Sequence, residues 1–352
     1  MPFSKMKSLN GPILVTGHTG FKGTWLMLLL EKLNIEAVGV SLPPDQNSLY
    51  LRAKMSGRAP EFFQDLRDAR EVNKIFNEIA PSAVIHLAAK SLVLESYKNP
   101  FETFTSNVGG TINVLDSARN TKSTQVVGAV TTDKVYENTG LRRPFSEGDR
   151  ISGNEPYSSS KAAMEMVVLG WQQLFQQFGG MYPVSLRAGN VIGGGDFSTN
   201  RLLPDIVRAV DSRIPFEIRN PRSVRPWQHV LDPLYGYLLA LEWTLNGNMT
   251  SAFNFGPSGE DLEVRGVVEI AKRAWPEKLG DLKVRYVESE FHESEHLSLD
   301  STCTRHKLGW KSRYSQVAAV ESTISWWNKT LTMATPAIEL CKDEIDNYLR
   351  IP

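Results

Sequence analysis

Residues 12–30 read PILVTGHTGFKGTWLMLLL, and the fold class turns on how this stretch is parsed. Pro12-Ile13-Leu14-Val15-Thr16 is a short β-rich run. Gly17, Gly20 and Gly23 follow at once with the spacing G-x-x-G-x-x-G, and Thr24 to Leu30 opens an apolar helix. Strand, tight turn and helix in this order bring a helix N-terminus, with its free N–H groups and positive dipole end, onto a pyrophosphate. Glycines in the turn permit close backbone approach. A glycine fingerprint alone is weak, but one set between a strand and a helix is much more specific. The stretch therefore predicts a dinucleotide held by Gly17, Thr19, Gly20, Phe21 and Gly23. Lys22 reads two ways, as a phosphate ligand or as a solvated side chain.

Outward from this turn, strands and helices alternate. Ala37 to Val40 is a second strand, and it ends at Ser41, where many NAD-binding folds place an acid for the adenosine ribose. With neither that acid nor a nearby arginine, NAD is favoured over NADP only by the rest of the pattern. Phe62 to Leu66 reads as a third strand, with Asp65 placed either to meet an adenine amino group or to cap the next helix. Ala83 to Ala89 is nearly continuously apolar, as a parallel strand buried on both faces should be. Leu87, Ala88 and Ala89 at its end let a cofactor lie close. A helix over 99–119 and a strand over 126–130 follow, and that strand delivers Thr131 to Lys134 to the sheet edge where ligands sit.

A charged loop over 137–156 leads to a helix over 157–178 with Pro156 in its first turn. Tyr157 and Lys161 lie one turn apart on that helix. A fixed ammonium beside a phenol favours the phenolate, which brings a group of pKa near 10 towards use as a base. Thr132, Asp133 and Lys134 form the second cluster of groups able to move protons. After the strand at 184–186 the segments shorten and prolines recur. The layout expected is an α/β Rossmann-type doubly wound parallel sheet over 11–189, with a returning segment near 228–256, and a smaller C-terminal α/β substrate lobe over 190–330. Residues 1–10 read as a loose lead-in and 331–352 as a C-terminal helix.

Composition bounds the rest. The chain has 352 residues, 41% of them hydrophobic, enough for a full-sized core. Lys+Arg and Asp+Glu balance at 39 each, so no global field recruits nucleic acid or a membrane, and an anionic ligand needs a local cluster. Arg219, Arg222 and Arg225, with Trp227 and His229, form the densest such cluster, and guanidinium groups suit a diphosphate. Asn190, Arg201 and His292 are further candidates for substrate contact. Two cysteines, Cys303 and Cys341, exclude a disulfide framework and suggest a cytoplasmic protein, and no metal-ligand spacing or membrane-length apolar run is visible.

The chain resembles the extended short-chain dehydrogenases/reductases over about residues 11–328. The likeness rests on the Gly17-Gly20-Gly23 turn, Asp65-Leu66, His86 to Ala89, the Thr132/Tyr157/Lys161 set and Arg187 to Asn190. Within that family the stretches 17–26, 131–138, 187–197 and 218–238 are similar to the CDP-glucose branch of the nucleotide-sugar 4,6-dehydratases. The resemblance implies bound NAD, a nucleotide-sugar substrate and a homodimer or dimer of dimers paired through the helices near 100–119 and 158–178. Met164, Val167, Val168, Trp171 and Phe175 would supply the apolar surface.

The resemblance further implies that Tyr157 takes the 4-OH proton while C4 is oxidised, and that Lys161 supports the phenolate and holds the nicotinamide ribose. Thr132 would bond near the sugar 4-OH, and Asp133 would protonate the departing 6-OH. Lys134 would be the C5 base or a group that positions the sugar. Deoxysugar synthesis for a surface polysaccharide is the implied setting. UDP- or GDP-sugar dehydratases, epimerases and a silent NAD-binding module are the competing readings.

Overall fold

The structure is a computed structural model that describes residues 3–140, 142–212, 215–287 and 295–352. Seven strands form the central sheet: β1 (Ile13–Thr16), β2 (Ala37–Ser41), β3 (Glu61–Phe63), β4 (Ala83–His86), β5 (Val126–Val130), β6 (Tyr182–Ala188) and β7 (Ala252–Phe255). All pairings are parallel and the order is β3-β2-β1-β4-β5-β6-β7. The chain reverses its winding between β1 and β4, which opens a crevice at the carboxyl ends of the strands. Strands β1, β4 and β5 are buried at every position, and their Val, Ile and Ala runs are what burial on both faces requires.

The main helices are α1 (Phe21–Leu33), α2 (Ala69–Ile79), α3 (Gly110–Asn120), α4 (Pro156–Phe178), α5 (Leu231–Leu245), α6 (Gln316–Thr332) and α7 (Ala337–Arg350). Helix α1 is apolar all round because it is enclosed on both sides. It lies on the sheet and is covered by α5 and α7, and Gly23 to Leu30 are buried without a break. The break in composition near residue 190 is not a break in packing. Leu26 of α1, Phe216 and Trp227 beyond residue 190, and Leu340 of α7 share one hydrophobic core.

Beyond β6, three two-stranded sheets build the wall of the cleft. Val191–Ile192 pairs in parallel with Gln228–His229, Val224–Arg225 runs antiparallel to Leu262–Glu263, and Phe216–Arg219 is parallel to Val284–Val287. The first pairing sets the segment after Asn190 beside the segment after Arg225.

Several boundaries differ from the sequence reading. The third strand stops at Phe63, because Asp65 turns the chain by accepting the Arg67 N–H at 2.9 Å. The fourth stops at His86. The single helix expected over 99–119 is a helix at Pro100–Phe104, a π-helical turn at Thr105–Gly109 and then α3. The widened turn directs Asn107 inward, where its side chain bonds the Lys90 N–H, the Lys90 carbonyl and the Ser160 hydroxyl.

The supposed lead-in contains a short helix, Ser4–Lys7, held by bonds from the Lys5 and Met6 N–H groups to Glu242 and by burial of Phe3 and Met6. At the other end, Pro336 separates α6 from α7, so the terminal helix begins at Ala337. Among the described residues no helix is long and apolar enough to cross a membrane.

Candidate active site

At the tip of β1 the backbone is drawn into a cradle. Gly17 has φ +76°, and its N–H bonds the Val40 carbonyl at 2.7 Å. A Cβ added there would lie 2.8 Å from the Ala88 nitrogen, and one at Gly23 would lie 2.1 Å from the Gly17 carbonyl oxygen. Gly20 is the N-cap of α1 and supplies no side-chain acceptor. The N–H groups of the first helical turn, Phe21, Lys22 and Gly23, therefore face the crevice without a capping side chain. Bare donors at a helix N-terminus, under a floor that admits no Cβ, fit the diphosphate of a dinucleotide.

The Thr19 hydroxyl bonds Ser41 Oγ at 2.8 Å and the Leu42 carbonyl at 3.1 Å, so these hydroxyls occupy the place of the missing acid. Asp65 does not cap α2; Asp68 does, accepting from Arg70 and Glu71. Asp65 is instead gripped by the Arg67 guanidinium, which holds its carboxyl below the usual range. Leu66 is buried, and its carbonyl accepts from Asn113 at 2.8 Å. Leu87, Ala88 and Ala89 follow β4 directly, half-buried along the crevice.

Thr132 opens a single 3₁₀ turn, Asp133–Val135, at the end of β5. Its hydroxyl donates to Asp133 Oδ1 at 2.9 Å, while Oδ2 is buried without a hydrogen-bond partner. Burial raises the Asp133 carboxyl above the ordinary range, and Lys134, the bond from Thr132 and Arg225 oppose it without prevailing. A carboxyl in that condition favours its protonated, donating form.

Tyr157 enters the same space from the first turn of α4. Glu155 caps this helix, accepting the N–H groups of Tyr157 at 2.7 Å and Ser158 at 2.8 Å, and Ser158 returns a bond to the cap. Burial pushes the phenol up to about 12, against the Thr132 hydrogen bond and the charge of Arg201. Lys161 lies one turn further along the same helix. Its ammonium donates to the Val130 carbonyl at 3.0 Å, and burial lowers it to about 8 against the nearby Glu165.

Lys22 is not a solvated side chain. It reaches into the pocket and donates to the Tyr237 hydroxyl at 3.1 Å. Burial, Arg201 and Lys161 lower it to about 7. Arg201 itself bonds Ser91 at 3.2 Å and pairs with Asp196 at 3.4 Å.

Of the arginine cluster, Arg225 is buried and acts electrostatically on Asp133. Arg219 is half-buried at a strand end beside Val287, and Arg222 is exposed. Trp227 is committed to the core, with its indole N–H on the Leu262 carbonyl, and His229 is fully buried against Glu344 at 2.9 Å. Asn190 lies at the mouth, its carbonyl accepting from Gln228 at 2.9 Å. His292 lies outside the described residues. Sequence reasoning missed Glu155, Tyr237 and the Glu165–Arg187 pair. Of these only Glu155 had a local signal, a cap three residues before a serine.

Comparison with known proteins places this geometry. Residues 13–256 match the model of the NAD dependent epimerase/dehydratase family. The chain is 34% identical to the CDP-glucose 4,6-dehydratase of Salmonella typhimurium, over 96% of both chains. It is 28% identical to a probable dTDP-glucose 4,6-dehydratase of Sinorhizobium fredii, over 90% of this chain and 92% of that one.

The fold matches the dTDP-glucose 4,6-dehydratase DesIV of Streptomyces venezuelae, solved with NAD bound, at 22% identity and a TM-score of 0.80, covering 93% of this chain and 99% of that one. It also matches the UDP-glucose 4-epimerase of Thermotoga maritima, solved with UDP-glucose, at 22% identity and a TM-score of 0.79, covering 91% and 99%. With the strand order, the glycine cradle and the Tyr157–Lys161 turn in place, the matched span settles the lineage: this chain belongs to the NAD-dependent epimerase/dehydratase family.

Proposed function

We propose that the chain is an NAD-dependent nucleotide-sugar 4,6-dehydratase, with CDP-glucose as its substrate and a CDP-4-keto-6-deoxy hexose as its product. The observation that carries this reading is Asp133. It is a buried carboxyl with one oxygen unpartnered and its pKa raised, beside Lys134 and in the same pocket as Tyr157. An enzyme that only oxidises and reduces C4 has no use for such a group. Elimination of water has, because a hydroxyl leaves C6 only if it is protonated as it departs.

The Gly17–Gly23 turn, Asp65, Leu66, Leu87, Ala88, Ala89, Tyr157 and Lys161 would hold NAD, which when bound would supply the hydride chemistry for oxidation at C4 and reduction at C6 with no net consumption. Tyr157 removes the proton of the 4-OH, with Thr132 bonded at that oxygen and the charges of Arg201, Lys22 and Lys161 around it. The 4-keto group acidifies C5. Lys134 takes the C5 proton in its neutral form, and Asp133 gives its proton to the 6-oxygen, which leaves as water. As C6 is reduced, Lys134 returns its proton to C5, so Tyr157 ends one proton richer and Asp133 one poorer, and one net transfer from the phenol to the carboxyl resets the site. In the alternative assignment Lys134 only positions the sugar. Asn190, Arg201, Arg219, Arg225 and His292 are assigned to the nucleotide and its diphosphate.

A homodimer built through α3 and α4, a cytoplasmic location consistent with two free cysteines, and a role in deoxysugar supply for polysaccharide complete the reading.

The test is a panel of CDP-, dTDP-, UDP- and GDP-glucose with mass detection. CDP-glucose is expected to lose one water. Isomerisation without mass change would assign the chain to epimerisation, and no turnover of any sugar would remove the catalytic reading.

A further inference from the structure

One set of buried polar groups that the proposed chemistry leaves unused gathers around a single carboxylate. Glu165 lies one turn after Lys161 on α4 and is 4% exposed. Its Oε1 accepts from the hydroxyl of Thr131, at the end of β5, and from Arg187 Nε at 3.0 Å. Its Oε2 accepts from Arg187 Nη2 at 2.8 Å. Arg187, in β6, also donates Nη1 to the Tyr136 hydroxyl at 2.8 Å and to the Glu147 carbonyl at 3.1 Å. Tyr136, just past the Asp133–Val135 turn, donates in turn to Asn254 Oδ1 of β7 at 2.6 Å.

Thr131 and Tyr136 bracket Thr132, Asp133 and Lys134, so both ends of that loop are fastened to the same ion pair. The pair sits on the helix that carries Tyr157 and Lys161. A bidentate Arg–carboxylate pair has a fixed geometry. Enclosing one is costly to stability, which makes its presence here a matter of placement rather than of packing.

We propose that Glu165, clamped by Arg187, is a positioning residue that sets the Thr131–Tyr136 loop against the Tyr157–Lys161 turn at the separation the reaction needs. This rests on Tyr157 and Lys161 being the redox pair. Electrostatics gives the arrangement a readout that simple packing would lack, because Glu165 is the charge that raises Lys161 against its burial. The other groups facing Lys161 are Tyr157 one turn before it, His86 of β4, which burial and Lys161 hold neutral at about 3, and Lys22 of α1. Lys22 is itself lowered to about 7 by burial and by the charges of Arg201 and Lys161, with Asp133 opposing them.

The sign follows directly. Lys161 works protonated, activity falls as pH rises through its pKa, and removing the carboxylate moves that falling limb to lower pH. Glu165→Gln is expected to shift the alkaline limb of kcat/KM down by about one pH unit, with kcat lowered about 10- to 100-fold by misplacement. Tyr136→Phe cuts the same network without removing a charge and is expected to leave the limb in place.

Should the single variant not fold, Glu165→Gln with Arg187→Met leaves no unpaired charge and is expected to show the same shift. An unmoved limb in either folded Glu165 variant, or an equal shift in Tyr136→Phe, overturns the proposal. Lys161→Met separates the two levels of inference. If it turns over substrate normally, the redox assignment fails. If it abolishes turnover while the Glu165 variants keep the wild-type limb, only the positioning role fails.

Discussion

A carboxyl group enclosed with one oxygen unpaired is costly when ionised, and Asp133 is in that condition on the floor of the cleft. Its pKa is raised by burial, so the stability it contributes is fully present below the unfolded carboxyl value and is lost as pH rises through the folded one. The same protonated form is the proton donor for elimination, so chemistry and stability both weaken in the alkaline direction. Asp133→Asn keeps the shape and removes the proton. The variant is expected to lose about 10²- to 10⁴-fold in water elimination. It should still oxidise C4, seen as a near-ultraviolet absorbance of reduced nicotinamide that persists after substrate is added, and its unfolding midpoint should depend less on pH than that of the parent.

Thr132, Asp133, Tyr157 and Lys161 were legible in the sequence because each sits in a short motif at a strand end or helix start. Lys22 and Arg201 were assigned to the cofactor and the substrate, yet their reach into the Tyr157 pocket was not legible. They come from segments far apart in the chain and meet only when β1 and the residues beyond β6 fold together.

The elements that aim these residues depend on local caps. Helix α4 begins with Glu155 accepting from both Tyr157 and Ser158, and the Ser96 hydroxyl, at 3.1 Å, adds a further acceptor for the Tyr157 N–H. Glu155→Ala is expected to cost about 1 kcal/mol in chemical denaturation. It should also lower kcat more than it raises KM, because the residue released, Tyr157, is the proposed base. A variant with unchanged kcat would show that the first turn is held by packing alone.

The buried strands were readable from their apolar runs, and α4 from Pro156 and its periodicity. The helix at 99–119 was not readable as one element. Thr105 to Gly110 is rich in weak helix formers, and the π turn it adopts serves a side-chain demand, the inward placement of Asn107, that no periodicity records. The return of β7 to the sheet was foreshadowed only by the sequence Phe253-Asn254-Phe255, since pairing with β6 is a long-range event.

On the scale of the whole molecule, the surface around α3 and α4 carries several exposed apolar side chains. Met164 and Val168, expected to supply a dimer face, are buried at 0% and 1% exposure, and Phe175 packs partly against the core. Apolar side chains that face outward here include Phe101 at 80%, Phe178 at 66%, Met166 at 52% and Leu169 at 43%, and Phe104 and Ile112 are also exposed. They lie on neighbouring helices of one side of the molecule, since Pro100–Phe104 and α3 both pack on α4.

Exposed apolar side chains on neighbouring helices of a charge-balanced protein suit an association surface, and a two-fold pairing buries one such face against its own copy. The helices that would pair also carry Asn107, Tyr157 and Lys161 on their inner faces, so association would stiffen the elements that hold the redox groups. Phe101→Glu combined with Met166→Glu places like charges on both sides of that contact. The double variant is expected to sediment as a monomer at concentrations where the parent is a dimer, and to unfold at lower denaturant. Its individual sites are exposed, so the monomer's own fold should survive. A parent that sediments as a monomer at micromolar concentration, or a double variant that remains dimeric, would place the contact elsewhere.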